Sequence, residues 1–170
     1  MKSYIAVKMV DGEPMTKGEF SIKRGFTNHP WDVNSMEEGY LVVYPDGYQS
    51  WSPKEAFELS HLELDDPTKI SAIDLDRFIG PNAFGSMKLG DKTTLVEMMP
   101  RTGFVQYATS SCVDPSNYDH DLGCKIATET IKDKLWPMLG FVLQWAKSGL
   151  KPVEFTPLTE HQSNPGDTIQ

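Results

Sequence analysis

Apolar and polar residues recur with a period along most of this chain, and the period changes where the elements change. Tyr4-Ile5-Ala6-Val7-Lys8-Met9-Val10 is apolar and β-branched and predicts a strand that Asp11-Gly12 ends. Thr16-Lys17-Gly18-Glu19 is a capping box, predicting a short helix from Lys17 to Arg24 with Gly25 just past its end. Phe26 to Met36 reads as a loop, broken by Asn28, Pro30, Asp32 and Asn34 and anchored by Trp31. Gly39 to Tyr44 and Tyr48 to Trp51 are strand-like runs around Pro45-Asp46-Gly47. They predict a β-hairpin, because proline presets φ and glycine accepts a positive φ. Ser52-Pro53-Lys54-Glu55 then predicts a helix running to about His61, with Ser52 as its cap, Pro53 in the first turn and Glu55 completing a second capping box.

The second half repeats the plan without repeating the sequence. Leu64 to Lys69 is polar, holds Pro67 and reads as a linker. Ser71 caps a predicted short helix through Ile73, Leu75 and Phe78, and the glycines, asparagine and proline of Gly80 to Gly90 read as loop. Thr93 to Met99 and Phe104 to Thr109 predict a second hairpin around Pro100-Arg101-Thr102-Gly103. Val113 to Asn117 is a turn leading into the longest predicted helix, Asp119 to Trp136. Leu122, Ile126, Thr130, Ile131 and Leu135 mark its apolar face. Pro137 bends or restarts that helix, and Met138, Leu139, Val142 and Leu143 continue an apolar stripe to about Ala146. The expected fold class is therefore α+β: two β-hairpin-plus-helix units packed together, the second ending in a long, proline-bent helix. The boundaries are 1–64 for the first module, 65–69 for the linker, 70–150 for the second and 151–170 for an extended, proline-containing tail.

Composition narrows the function classes. The 170 residues fit one ordinary domain or two small ones, and no stretch approaches the ~20 apolar residues of a membrane span. The apolar run near Met1 is too short for a signal peptide, so the chain is expected to stay in the cytosol where it is made. A net charge of −8 opposes binding to nucleic acid or to anionic membranes. Two cysteines, Cys112 and Cys124, are too few for a secreted disulfide scaffold.

No nucleophile elbow, zinc-protease helix motif, phosphate loop or dinucleotide fingerprint is present, so no enzyme and no cofactor is expected. Cys112, His120 and Cys124, with Asp119 or Asp121 near, are the closest to a metal-ligand set. They lack the paired cysteine spacing of a structural zinc site, and no metal is expected. The acidic pairs sit in loops or at helix starts, where carboxylates favour the helix dipole and solubility. Lys23 and Arg24, in the densest basic cluster, join Trp31, Tyr48 and Trp51 as a candidate ligand-binding set. Cations and stacking faces are what a small anionic, nucleobase-containing ligand requires. The competing reading makes the aromatic residues core anchors and the basic side chains solvated ones. The stripe with Trp136, Phe141 and Trp145 reads first as core packing and second as an oligomer interface.

Ser111-Cys112-Val113-Asp114-Pro115-Ser116-Asn117-Tyr118-Asp119 is followed by Leu122-Gly123, Lys125-Ile126-Ala127, Lys132-Asp133-Lys134-Leu135-Trp136 and Leu139-Gly140-Phe141. Together with Thr102-Gly103-Phe104, this series resembles the C-terminal signature of a family of small tailed-phage proteins named after genes forty-nine and sixty-six of two coliphages. The resemblance covers about Leu95 to Leu143 and implies a viral origin, in a family without an assigned function. Pro14 to Glu19 and Gly39 to Phe57 resemble N-terminal segments of other small phage proteins. Their hairpin, tryptophan and capped helix are similar in pattern to phage sponges that sequester nucleotide immune signals. What these resemblances imply is a non-enzymatic phage accessory protein acting on the host by binding in the host bacterial cytoplasm. Its sharpest form is an anti-defence sponge for a small anionic nucleotide; the alternative is an adaptor that binds a host or phage protein through its helical face or tail.

Overall fold

The computed structural model describes residues 1–25 and 34–152. Its fold is α+β, as the sequence implies: two three-stranded antiparallel sheets with their helices, ending in a long C-terminal helix. Each predicted hairpin has gained a third strand.

In the first half, β1 (Asp11–Pro14), β2 (Gly39–Val43) and β3 (Gln49–Pro53) pair in the order β1-β2-β3. The β2–β3 turn closes as its residues dictate. Gly47, at φ +83°, donates its N–H to the Tyr44 carbonyl at 2.8 Å, and the Asp46 side chain accepts from the Tyr48 N–H at 3.0 Å. The strand expected over Tyr4–Val10 is absent, and Asp11–Pro14 takes the place instead. The ladder runs from Pro14 opposite Tyr40 to Asp11 opposite Val43. Beyond Val43 the partner strand enters its turn, so Tyr4–Val10 has no backbone to pair with, and β propensity alone does not hold a strand.

Helix α1 (Lys17–Lys23) carries the expected box, with the Glu19 N–H donating to Thr16 Oγ1 at 3.2 Å and the Thr16 N–H to Glu19 Oε2 at 2.8 Å. The second expected box does not form. Ser52 is occupied in the ladder opposite Tyr40, and α2 (Lys54–Ser60) begins after Pro53 with no side-chain cap. Its first N–H, that of Lys54, instead donates to the Glu38 carbonyl at 3.1 Å.

In the second half, α3 (Ala72–Ile79) precedes β4 (Phe84–Leu89), β5 (Thr93–Met98) and β6 (Gln106–Ser111), which pair in the order β4-β5-β6. The segment Gly80–Gly90, expected as loop, contains β4. Its punctuating residues other than Gly85 lie at the two ends, leaving six residues in register with β5 from Phe84 opposite Met98 to Leu89 opposite Thr93. All six are exposed, so this edge strand has no buried face for its sequence to display. The β5–β6 turn is the expected one, although β6 starts two residues later than Phe104.

The 29-residue helix α4 (His120–Ser148) is one element with Pro137 inside it, and Asp119 caps it by accepting from the Leu122 N–H at 2.9 Å. Its buried face is Gly123, Ala127, Ile131, Leu135, Leu139 and Leu143, every fourth residue. Of the expected stripe, Ile131, Leu135, Leu139 and Leu143 lie on this face, whereas Leu122 is 54% and Ile126 48% exposed. The reason is contact distance. A Cβ on Gly123 would lie 2.4 Å from Thr94 Oγ1, so helix and sheet meet where side chains are small and the bulkier neighbours are turned aside. Leu75, Ile79, Val96, Met98, Ala108, Ala127, Ile131, Leu135 and Leu139 form this core.

A polar node ties the α3 start to the segment before it. Asp74 is fully buried and accepts from the Ser71 N–H at 2.7 Å and the Asp65 N–H at 3.0 Å, with Arg77 at 3.3 Å. Arg77 also meets Asp65 at 2.7 Å, and Arg101 reaches the Glu58 carbonyl of the first half at 2.9 Å. Burial pushes the Asp74 carboxyl up, but the Ser71 and Asp65 N–H groups, the Ser71 hydroxyl and Arg77 outweigh it and hold it below the usual carboxylate range. A folded-state value below the unfolded one stabilises the fold above about pH 4, and that contribution is lost as pH falls through the folded value. Urea unfolding at pH 6 and pH 3 is expected to show a larger acid loss in the wild-type chain than in Asp74→Asn. Equal losses would remove Asp74 from the acid limb.

Candidate functional site

The four described residues of the set proposed from sequence take up separate positions. Lys23 pairs with Glu13 of β1 at 3.7 Å, and Arg24 caps α1, its N–H donating to the Phe20 carbonyl at 2.9 Å. Tyr48 is 62% exposed at the turn end of β3, beside Tyr44 at 5.7 Å between ring centres. The strand order sets β1 and β3 on opposite edges, so Lys23 and Tyr48 do not face one another. Trp51 is half-buried; its indole N–H donates to the Met15 carbonyl at 2.9 Å and its ring fills the space left by Gly39. Trp31 lies outside the described residues.

Two shallow grooves lie elsewhere on the surface, and none of these four residues lines either. One, of about 500 Å³, is lined by Ile73, Asp76, Arg77, Gly80, Pro81 and Arg101. Its two guanidinium groups are engaged by Asp65, Asp74 and the Glu58 carbonyl. The other, of about 430 Å³, is lined among others by Glu19, Glu38, Lys54 and Glu58, with Lys54 held by Glu38 at 3.0 Å. In the former metal-like set, Cys112 Sγ turns to the carbonyls of Lys92 and Asp114 at 3.5 and 3.1 Å, while His120 and Cys124 meet. Among the described residues no three His, Cys, Asp or Glu side chains group to hold a metal ion.

The strongest surface feature lies on α4, where sequence reading saw one apolar stripe and the structure resolves two. Leu135, Leu139 and Leu143 are buried. Met138, Phe141, Val142 and Trp145 form a second row at i, i+3, i+4 and i+7, with Met138 42%, Phe141 66% and Val142 43% exposed. Phe141 and Trp145 lie against each other at 6.1 Å between ring centres. By helical rotation this row occupies the sector that Ala127 and Ile131 bury against the sheet about two to five turns earlier. A 29-residue helix spans about 43 Å and a six-residue strand about 20 Å, so α4 outruns its sheet and its sheet-facing side emerges bare. The only charged residues between positions 134 and 151 of this acidic protein are Lys134, Lys147 and Lys151. The difference in period between the two rows was the signal available in the sequence.

Residues 68–146 match the family model described as Phage protein (N4 Gp49/phage Sf6 gene 66) family. No curated protein and no solved structure matches the chain. Among the described residues no helix is long and apolar enough to cross a membrane. The match takes in α3, the second sheet and α4 as far as the exposed row, and stops short of the first sheet. Over residues 68–146 this chain is thus similar to the N4 Gp49/phage Sf6 gene 66 family of phage proteins.

Proposed function

We propose that this protein is a phage accessory protein that acts by binding in the host cytoplasm, and that its ligand is a protein docked by the end of α4. The observation that carries the reading is the row of exposed Met138, Phe141 and Val142 with half-buried Trp145, spaced as the anchors of an amphipathic helix that enters a groove. An exposed apolar row in a stretch whose only charged residues are lysines selects its partner: an apolar groove with acidic groups near it, in a host or phage protein. Phe141 is the most exposed residue of the row, and lysines 134, 147 and 151 are the charged residues of the stretch.

The test is recovery of a stoichiometric partner from infected and uninfected cells with the tagged full chain. The double variant Phe141→Asp/Val142→Asp changes two exposed positions and is expected to keep the fold while losing the partner by at least about tenfold. Retention of the same partner by the double variant would overturn the reading. So would a thermal shift with a cyclic nucleotide or ADP-ribose derivative that the double variant leaves unchanged, which would favour the nucleotide sponge.

A further inference from the structure

A second cluster lies at the other end of α4. His120 opens the helix and Cys124 follows one turn later, with its Sγ 3.5 Å from His120 Nε2. Ser86 of β4 brings its hydroxyl to 3.3 Å from the same nitrogen. The other ring nitrogen, Nδ1, lies 2.9 Å from the Tyr118 hydroxyl, which lies 3.1 Å from the hydroxyl of Thr94, fully buried on β5. Local rules assemble these groups. An i, i+4 spacing stacks His120 over Cys124, and strand alternation puts Ser86 and Lys88 on one face of β4, with Lys88 Nζ 4.2 Å from the Tyr118 ring centre. Gly123, between the two helical residues, lets α4 approach Thr94.

We propose that Cys124 is a nucleophilic thiol served by His120, and that this pair is a reaction site for a carbon electrophile bearing a leaving group. Nε2 accepts the Sγ proton, while the Nδ1–H donates to Tyr118 and the Tyr118 O–H donates to Thr94. The sulfur lone pair forms the S–C bond as the bond to the leaving group breaks. The leaving group departs with that electron pair, and the imidazolium returns its proton to water. Tyr118 is a positioning residue, holding the ring through the nitrogen that does not react. Cys112 is the internal contrast: its thiol donates to the Lys92 and Asp114 carbonyls, which accept a hydrogen bond without removing the proton.

Iodoacetamide, with iodide as its leaving group, tests this on the full chain, the rate at each cysteine being read from its peptide by mass spectrometry at pH 7. Cys124 in the folded protein is expected to react about tenfold faster than the same cysteine in urea, and Cys112 to show no acceleration. His120→Gly removes the acceleration, and added imidazole restores part of it. Tyr118→Phe lowers the rate and changes the His120 tautomer population in long-range ¹H–¹⁵N spectra, a signal that loss of packing alone does not give. A folded wild-type rate at Cys124 no higher than the urea rate overturns the proposal, whatever the variants do. An acceleration that survives His120→Gly overturns it as well.

Discussion

Gly39→Val is expected to cost the first half of the chain about 3 kcal/mol or more of stability. A Cβ at Gly39 would stand 2.3 Å from the Ser52 carbonyl oxygen and 2.5 Å from Trp51 Cζ2. The first of these is backbone of the paired strand and cannot swing away. The second belongs to a ring whose N–H is committed to the Met15 carbonyl. Valine therefore either separates β2 from β3 at the Gly39–Pro53 end or expels Trp51 and leaves that carbonyl without its donor. Leu41 and Val42 are the buried apolar residues of this sheet, a small core with little to absorb the loss. Urea unfolding followed by tryptophan fluorescence measures the change; a midpoint within error of the wild type would show that the sheet tolerates a side chain there.

Gly123→Leu is the second large effect, expected at about 3 kcal/mol or more, with Gly123→Ala nearer 1–2 kcal/mol because alanine recovers about 1 kcal/mol of helix propensity. The introduced Cβ would meet Thr94 Oγ1 at 2.4 Å and Thr94 Cβ at 2.8 Å, and the second atom is fixed to the strand. Helix and sheet must separate at their closest point, beside Val96, Ala127 and Ile131 of the core. The same separation breaks the Thr94–Tyr118 hydrogen bond, so the variant has two readouts: a lower thermal midpoint and a slower Cys124 reaction. A graded loss from glycine to alanine to leucine is the expected result. An alanine variant more stable than the wild type would mean that α4 can shift on the sheet without strain.

What the sequence disclosed was what local chemistry decides. Pro45-Asp46-Gly47, Thr16 with Glu19, and Ser71 as a helix cap act within a few residues, and each forms as read. The differences arise where a distant partner decides. Tyr4–Val10 has strand-forming residues and no strand opposite it, whereas Phe84–Leu89 has poor strand residues and a full partner in β5. Ser52 is a good cap that the ladder claims first. On α4 the bulky Leu122 and Ile126 drew attention, but Gly123 and Ala127 face the sheet because closeness of approach, rather than side-chain size, set the rotation.

The candidate sites were legible to a similar depth. Charge and aromaticity near one another in sequence suggested Lys23, Arg24, Tyr48 and Trp51 as a set, but strand order separates Lys23 from Tyr48 and packing occupies Trp51. His120 and Cys124 were visible as a helical pair, while Ser86 and Thr94 join them only through the sheet. The apolar end of α4 was visible as a stripe. That it divides into a buried and an exposed row follows from a helix longer than the sheet beneath it, and strand length is not written in the helix.

The docking role of α4 is tested most directly by a photo-crosslinking residue placed at Phe141, with Glu129 as the control position on the same helix, in cells infected by the phage. Phe141 lies within the exposed apolar row, whereas Glu129 is exposed on the far side of the helix. The expected result is one discrete adduct of defined mass from position 141 and none from position 129. Adducts of equal yield at both positions, or none at either while a partner still co-purifies, would contradict docking through this face.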